Sequence, residues 1–297
     1  MFYDYPPYRP PSEANSLLLR VTRGCPWNQC TFCSMYKDMP FQRRPVEEVL
    51  QDIDTARHLY GTHVRTVFLG DSNSLVLHAH SLIRILRYLY RNLSSIERVT
   101  SYARARTLCK KSLDDLRLIH EGGLTRLHVG LETGDAELLG EIRKGATPGQ
   151  MVEGCRRAKR AGFEVSLYVI AGIGGEEKWQ QHVEGTAAVL NQINPHFIRI
   201  RTLSLNPSSP LWRSMEQGTF KLASPETILQ EQRQLIERLE VTSQYMSDHV
   251  SNYAPVYGEL PGDRASMLQT IDDTLEMLQK NTRYRRAIEM KRYLSRL

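Results

Sequence analysis

The chain has 297 residues, 41% hydrophobic and 24% charged, which are ordinary values for a globular protein and exclude a disordered polymer. No apolar run approaches the length of a membrane-spanning helix. The net charge of +6 is concentrated at one end: Lys280, Arg283, Arg285, Arg286, Lys291, Arg292 and Arg296 face only Glu289, so the remainder is balanced. This tail reads either as a solvated basic helix end or as a contact for RNA or another polyanion.

The opening MFYDYPPYRPPSEANS has prolines and acids where a secretory leader has an apolar stretch, so a cytoplasmic protein is expected. Six β-type runs follow: 17–22, 64–70, 99–103, 127–131, 165–171 and 197–203. Between them, Val46, Val49, Leu50, Ile53, Ala56 and Leu59 recur at helical spacing, as do Leu82, Ile83, Ile85, Leu86 and Leu89. Thr147-Pro148 with Gln150 reads as a capping box with a first-turn proline, and Ser224-Pro225 as a second helix start. The alternation predicts parallel βαβ units: an α/β fold of six units, too few to close a complete eight-unit barrel unless later segments complete the sheet. A division into an arm (1–15), a partial barrel (16–215) and a helical C-terminal extension (216–297) follows. Within the extension, 224–247 reads as one long helix, SNYAPVYGELPGD as a loop, and a last helix begins near Asp263.

Three of the five cysteines, Cys25, Cys30 and Cys33, fall in VTRGCPWNQCTFCSMY directly after the first strand, at the edge where α/β barrels build active sites. A closed zinc site needs four ligands, and the nearest further Cys or His is His58, more than twenty residues beyond Cys33. Three thiolates suit a four-iron cluster with one iron left open. Cys109 and Cys155 form no second cluster.

This motif is similar to that of the radical SAM enzymes, which bind S-adenosylmethionine (SAM) to the open iron and cleave it reductively to a 5′-deoxyadenosyl radical. The spacing is CX4CX2C, one residue longer in the first gap than the family's commonest form. Over residues 14–212 the resemblance is closest to the oxygen-independent coproporphyrinogen oxidase and elongator-type branches, and it implies a partial (β/α)6 radical SAM barrel, a [4Fe–4S] cluster on Cys25, Cys30 and Cys33, and Phe32 near the adenine. By the same resemblance, Gly70-Asp71-Ser72-Asn73 receives the methionyl amino group with Asp71 as acceptor. Glu132, in HVGLETG, lies near the ribose or amino group, and Lys144 meets the SAM carboxylate. The backbone of Gly172, Ile173 and Gly174 contacts the adenine.

Candidate substrate groups are Arg104 and Arg106 after the third strand, and Arg199 and Arg201, which alternation puts on one face of the sixth. His249 and Tyr253 stand in the C-terminal loop, read either as a lid or as a connection packing Val250, Val256 and Leu260. The resemblance implies an electron donor such as flavodoxin or ferredoxin. A small-molecule or tetrapyrrole-like substrate is preferred to RNA modification. A noncatalytic iron–sulfur or metal carrier is the rival of another class.

Overall fold

The computed structural model describes residues 8–291, so Arg292 and Arg296 of the basic tail lie outside the described residues. The chain divides into two units. The first comprises residues 1–28, 35–129 and 153–165, and the second comprises 29–34, 130–152 and 166–297.

In the first unit, β1 (Leu17–Arg20) is followed by the short strands β2 (Thr22–Arg23) and β3 (Gln42–Arg43), which pair antiparallel. Then come α1 (Val46–Tyr60), β4 (Thr66–Gly70), α2 (Ala79–Asn92), β5 (Arg98–Ala103), α3 (Ala105–Lys110), α4 (Leu113–Glu121) and β6 (Leu124–Glu132), whose last three residues belong to the second unit. The strand order β1-β4-β5-β6 is parallel throughout, with Leu19 opposite Leu69 and Leu69 opposite Ser101. Near-continuous burial of these strands is what a parallel sheet covered by helices requires. The helices bury most of the stripes their periodicity announced, Val49, Ile53 and Ala56 on α1 and Leu82, Ile85, Leu86 and Leu89 on α2, whereas Leu59, at the end of α1, is exposed and Val46, Leu50 and Ile83 are only partly covered.

The arm is packed. Glu13 is wholly buried, where its carboxylate accepts from Ser16 Oγ at 2.6 Å and pairs with buried His128 at 3.2 Å, with Arg98 3.6 Å away. Burial alone would raise the pKa of Glu13. The hydrogen bonds from His128 and Ser16 and the charges of His128 and Arg98 outweigh it and hold the value down to about 2.

The second unit contains α5 (Ala136–Glu141) and the start of α6 (Pro148–Arg160), whose capping box forms in both directions between Thr147 and Gln150 at 3.2 Å. After β7 (Glu164–Ala171), α7 (Trp179–Ile193), β8 (Phe197–Thr202) and α8 (Pro210–Glu216) comes α9 (Pro225–Arg238), capped by Ser224. It ends nine residues before Ser247, the end of the predicted long helix, because the chain turns into β9 (Gln244–Ser247). From Val241 to Ser247 burial alternates strictly, with Val241, Ser243, Tyr245 and Ser247 inside. The period of two is hidden by polar residues on the buried side. β9 runs parallel to β8, and β10 (Val256–Glu259) pairs antiparallel with β9. Thus β10 lies within the segment expected to be a loop. The unit finishes with α10 (Arg264–Lys280) and α11 (Thr282–Lys291). The basic tail is partly neutralised: Arg285 bonds Glu226 at 2.6 Å, and Lys291 donates to the Asn252 carbonyl at 3.2 Å.

Candidate functional site

In the first unit, the cysteine loop is held at its start by a buried carboxylate. Asp71, 1% exposed, accepts from Arg20 Nε and from the Gly24 backbone N–H, both at 2.9 Å, and its own N–H donates to Thr22 Oγ1. Ser72 Oγ donates to the Gly24 carbonyl, and Asn73 Nδ2 to Thr107 Oγ1, both at 2.8 Å. Gly24 takes φ +73°, where a side chain would be strained and would press on the Pro40 carbonyl. The segment Gly70–Asn73 was expected to receive a ligand's ammonium. In the structure each Asp71 oxygen accepts one bond from the protein, so the segment braces the loop that carries Cys25. Arg20, unremarked in the sequence, is the partner that makes its burial affordable. Within the loop, the Asn28 N–H donates to Cys25 Sγ at 3.4 Å, and the Arg104 guanidinium lies 5.1 Å over the Trp27 ring.

In the second unit, the other half of the loop is bonded on both sides of Thr31: its N–H donates to the Ile142 carbonyl at 3.0 Å and its carbonyl accepts from the Leu211 N–H at 2.9 Å. Two residues beyond Ile142 stands Lys144, whose Nζ is 2.6 Å from Glu132 Oε1, with both side chains largely buried. Glu132 has φ +65°, a left-handed conformation that is costly outside glycine. Gly130 makes room for the pair, since a Cβ there would fall 2.1 Å from Glu132 Oε1 and 2.7 Å from Lys144 Nζ. Sequence reading named Glu132 and Lys144 and saw Gly130 only as a neighbour of Glu132, although its place two residues earlier on the strand puts it on the same face.

Farther on, Gly172 (φ +83°) donates its N–H to both oxygens of buried Glu231 at 3.0 and 3.1 Å. Glu231 also meets His182 Nε2 at 3.3 Å, His182 Nδ1 meets Thr186 Oγ1 at 3.4 Å, and Thr186 accepts from the Gly134 N–H at 2.9 Å. This chain ties the turn after β6 to the turn after β7 through α7 and α9. The Ile173 N–H bonds the Ile170 carbonyl. Of the three residues expected to offer backbone to an adenine, Gly172 and Ile173 thus have their N–H groups engaged inside the protein, and Gly174 has its carbonyl engaged by the Lys178 N–H.

Arg199 and Arg201 share one face of β8, as the alternation required. Arg199 Nε donates to Ser166 Oγ at 3.1 Å, and Arg201 lies 5.2 Å over Tyr168 and 3.0 Å from His249 Nε2. The segment read as a lid is fastened down: Asn252 accepts from the Thr202 N–H and hydroxyl and donates to the Ile200 carbonyl and Ser247, while Tyr253 is 5% exposed beside Gly172. Val256 and Leu260 are buried as the structural reading expected, whereas Val250 is exposed.

Burial first, and then the Arg201 charge, pull the His249 pKa down to about 4, against the opposing pull of Asp248. The folded protein therefore prefers neutral His249. Its contribution is complete above the ordinary value of 6.5 and is lost as pH falls through 4. Discounted for solvent screening at this half-exposed side chain, the expected loss over that window is about 1–2 kcal/mol. Urea unfolding of wild type and His249→Gln at pH 7 and pH 4.5 measures it, and the variant should show the smaller drop.

The cysteines differ in kind. Cys25, Cys30 and Cys33 are partly exposed, whereas Cys155 is fully buried, which pushes its thiol up to about 12; burial also raises Cys109. Full burial makes Cys155 a poor donor, while Cys109 shares the partial exposure of the three loop cysteines but stands apart from them in sequence. Among the described residues, no three His, Cys, Asp or Glu side chains form a group suited to a single metal ion.

Residues 19–184 match the family model described as Radical SAM superfamily. The chain belongs to that superfamily, whose cofactors are a [4Fe–4S] cluster and SAM. It is 23% identical over 237 residues to the heme chaperone HemW of Bacillus subtilis, a match covering 76% of this chain and 60% of that protein. It is 26% identical over 199 residues to the uncharacterized methyltransferase PH0819 of Pyrococcus horikoshii, covering 66% of this chain and 41% of that one. The chain thus spans less than two thirds of the length of either relative. The crystal structure of coproporphyrinogen III oxidase HemN from Escherichia coli shares the fold with a TM-score of 0.57 at 19% identity, over 75% of this chain and 52% of that one. No helix among the described residues is long and apolar enough to cross a membrane.

Proposed function

We propose that this protein is a radical enzyme that holds a [4Fe–4S] cluster on Cys25, Cys30 and Cys33 and cleaves SAM to act on a small, anionic, tetrapyrrole-like substrate in the cytoplasm. Bound together, the cluster and SAM supply a 5′-deoxyadenosyl radical that removes hydrogen from an unactivated carbon. The observation that carries the reading is the Glu132–Lys144 pair at 2.6 Å in the space left by Gly130. An acid and a base held side by side in a largely buried place complement a ligand bearing both an ammonium and a carboxylate, as the methionyl end of SAM does. Glu132 takes the ammonium or a ribose hydroxyl, Lys144 the carboxylate, and each exchanges its present partner for the ligand's opposite charge. Phe32 and Gly174 remain the candidates for the adenine.

Arg199 and Arg201 supply the positive face for the substrate's carboxylates, with Tyr168 beneath Arg201. Likeness to a heme chaperone and a coproporphyrinogen oxidase supports a tetrapyrrole-like ligand. An acidic electron-transfer protein such as flavodoxin or ferredoxin is the proposed reductant. RNA modification is the weaker reading, because the tail's Arg285 and Lys291 have partners within the chain.

Calorimetry of SAM binding tests the assignment. Glu132→Ala should weaken SAM binding by about 1.5–3 kcal/mol, the worth of hydrogen bonds to a charged group, with iron content unchanged. An unchanged SAM affinity would remove Glu132 from the site.

A further inference from the structure

A second concentration of charge lies wholly within the first unit. A cavity of about 420 Å³ is lined by Arg43, Arg104, Arg106, Lys110 and Lys111, and no acidic residue lines it. Arg43, Arg106 and Lys110 have no acidic partner among the described residues. Lys111 donates to the Leu77 carbonyl, and its pKa is lowered by burial and by the Arg43 charge, against the opposing charge of Asp115. Such mutual repulsion is a cost that a bound anion would remove.

Asn73, 1% exposed, lines the same cavity and has an unpartnered buried Oδ1. Its amide and the Thr107 hydroxyl can pair either way round, because the hydroxyl both donates and accepts. Turned over, the amide keeps its bond to Thr107 and leaves an N–H, in place of the unpartnered oxygen, at the buried base of the cavity's lining.

We propose that this pocket binds the phosphate groups of a small oligophosphate ligand. One phosphate carries about −1.5 to −2 at neutral pH, so two linked phosphates match several cations where a lone carboxylate would leave most of them uncompensated. Arginine forks grip phosphate oxygens in pairs, and the lysines add point charges. The volume is that of a small-molecule site. Sequence reading reached only Arg104 and Arg106, because Arg43 comes from a hairpin more than sixty residues earlier.

The site does not depend on the SAM reading. Its test is calorimetric titration of inorganic pyrophosphate into the anaerobic, cluster-loaded protein in low-salt, phosphate-free buffer. Saturable binding to one site is expected. An Arg43→Gln/Lys110→Gln double variant, both positions being exposed, should weaken it about tenfold with melting temperature and SAM affinity unchanged. Citrate, whose charge is spread over three separated carboxylates, should bind more weakly than pyrophosphate, whose charge is held on two linked groups. Absence of saturable binding, equal affinity in the double variant, or equal affinity for citrate would overturn the proposal. So would loss of SAM affinity in the double variant, or displacement of pyrophosphate by a short RNA at lower concentration than by free pyrophosphate.

Discussion

Asp71→Ala is expected to destabilise the protein by about 3–5 kcal/mol, because it leaves the Arg20 guanidinium, 4% exposed, without its carboxylate. The Gly24 N–H loses its acceptor in the same stroke. The second consequence is functional: without the buttress, the loop carrying Cys25 is no longer fixed at its start, and iron retained after anaerobic reconstitution should fall. Asp71→Asn keeps the shape and one acceptor oxygen, so it should be the milder variant. Chemical unfolding and iron analysis of both variants decide the matter. If Asp71→Ala kept normal stability and iron but lost SAM affinity, the carboxylate would be a ligand contact, as its sequence position first suggested.

Glu13→Ala should be comparably severe. It leaves His128, which is wholly buried, and the nearby Arg98 without their shared acid, again about 3–5 kcal/mol. The wild-type pair also carries a pH signature. Because the folded protein holds Glu13 at about 2 against an ordinary 4.5, its stabilisation is complete above pH 4.5 and is lost as pH falls through 2. The full difference is about 3 kcal/mol. Glu13→Gln, which cannot ionise, should flatten that part of the stability profile, as thermal melts between pH 2 and pH 5 would record.

The six expected strands were legible as β-type runs bounded by turn residues, mostly apolar and in β8 an alternation of Ile and Arg, and the capping box and the Ser224 cap were legible because they are written within four residues. β9 was not, since its buried side carries Tyr245 and Ser247 rather than aliphatic residues. Glu13 looked like a solvated arm residue. Its partner His128 is 115 positions away, and no local pattern announces a pairing at that distance. At the site, the residue types that carry chemistry were visible in the cysteine loop, in HVGLETG and in the alternating arginines of β8. What stayed hidden was which polar groups the fold itself consumes. Asp71 is taken by Arg20 and Gly24, Gly172 by Glu231, and Asn252 by the edge of β8. A carboxylate at a strand end has the same sequence signature whether it awaits a ligand or braces a loop.

The three loop cysteines are proposed to support reductive cleavage of SAM. Anaerobic incubation of the reconstituted protein with SAM and dithionite, followed by chromatography for 5′-deoxyadenosine, tests it most directly. Wild type should form 5′-deoxyadenosine, while Cys25→Ala, Cys30→Ala and Cys33→Ala should each form none above the protein-free control. A variant that retained wild-type 5′-deoxyadenosine formation, or a wild type that held iron and SAM yet formed none, would contradict the account.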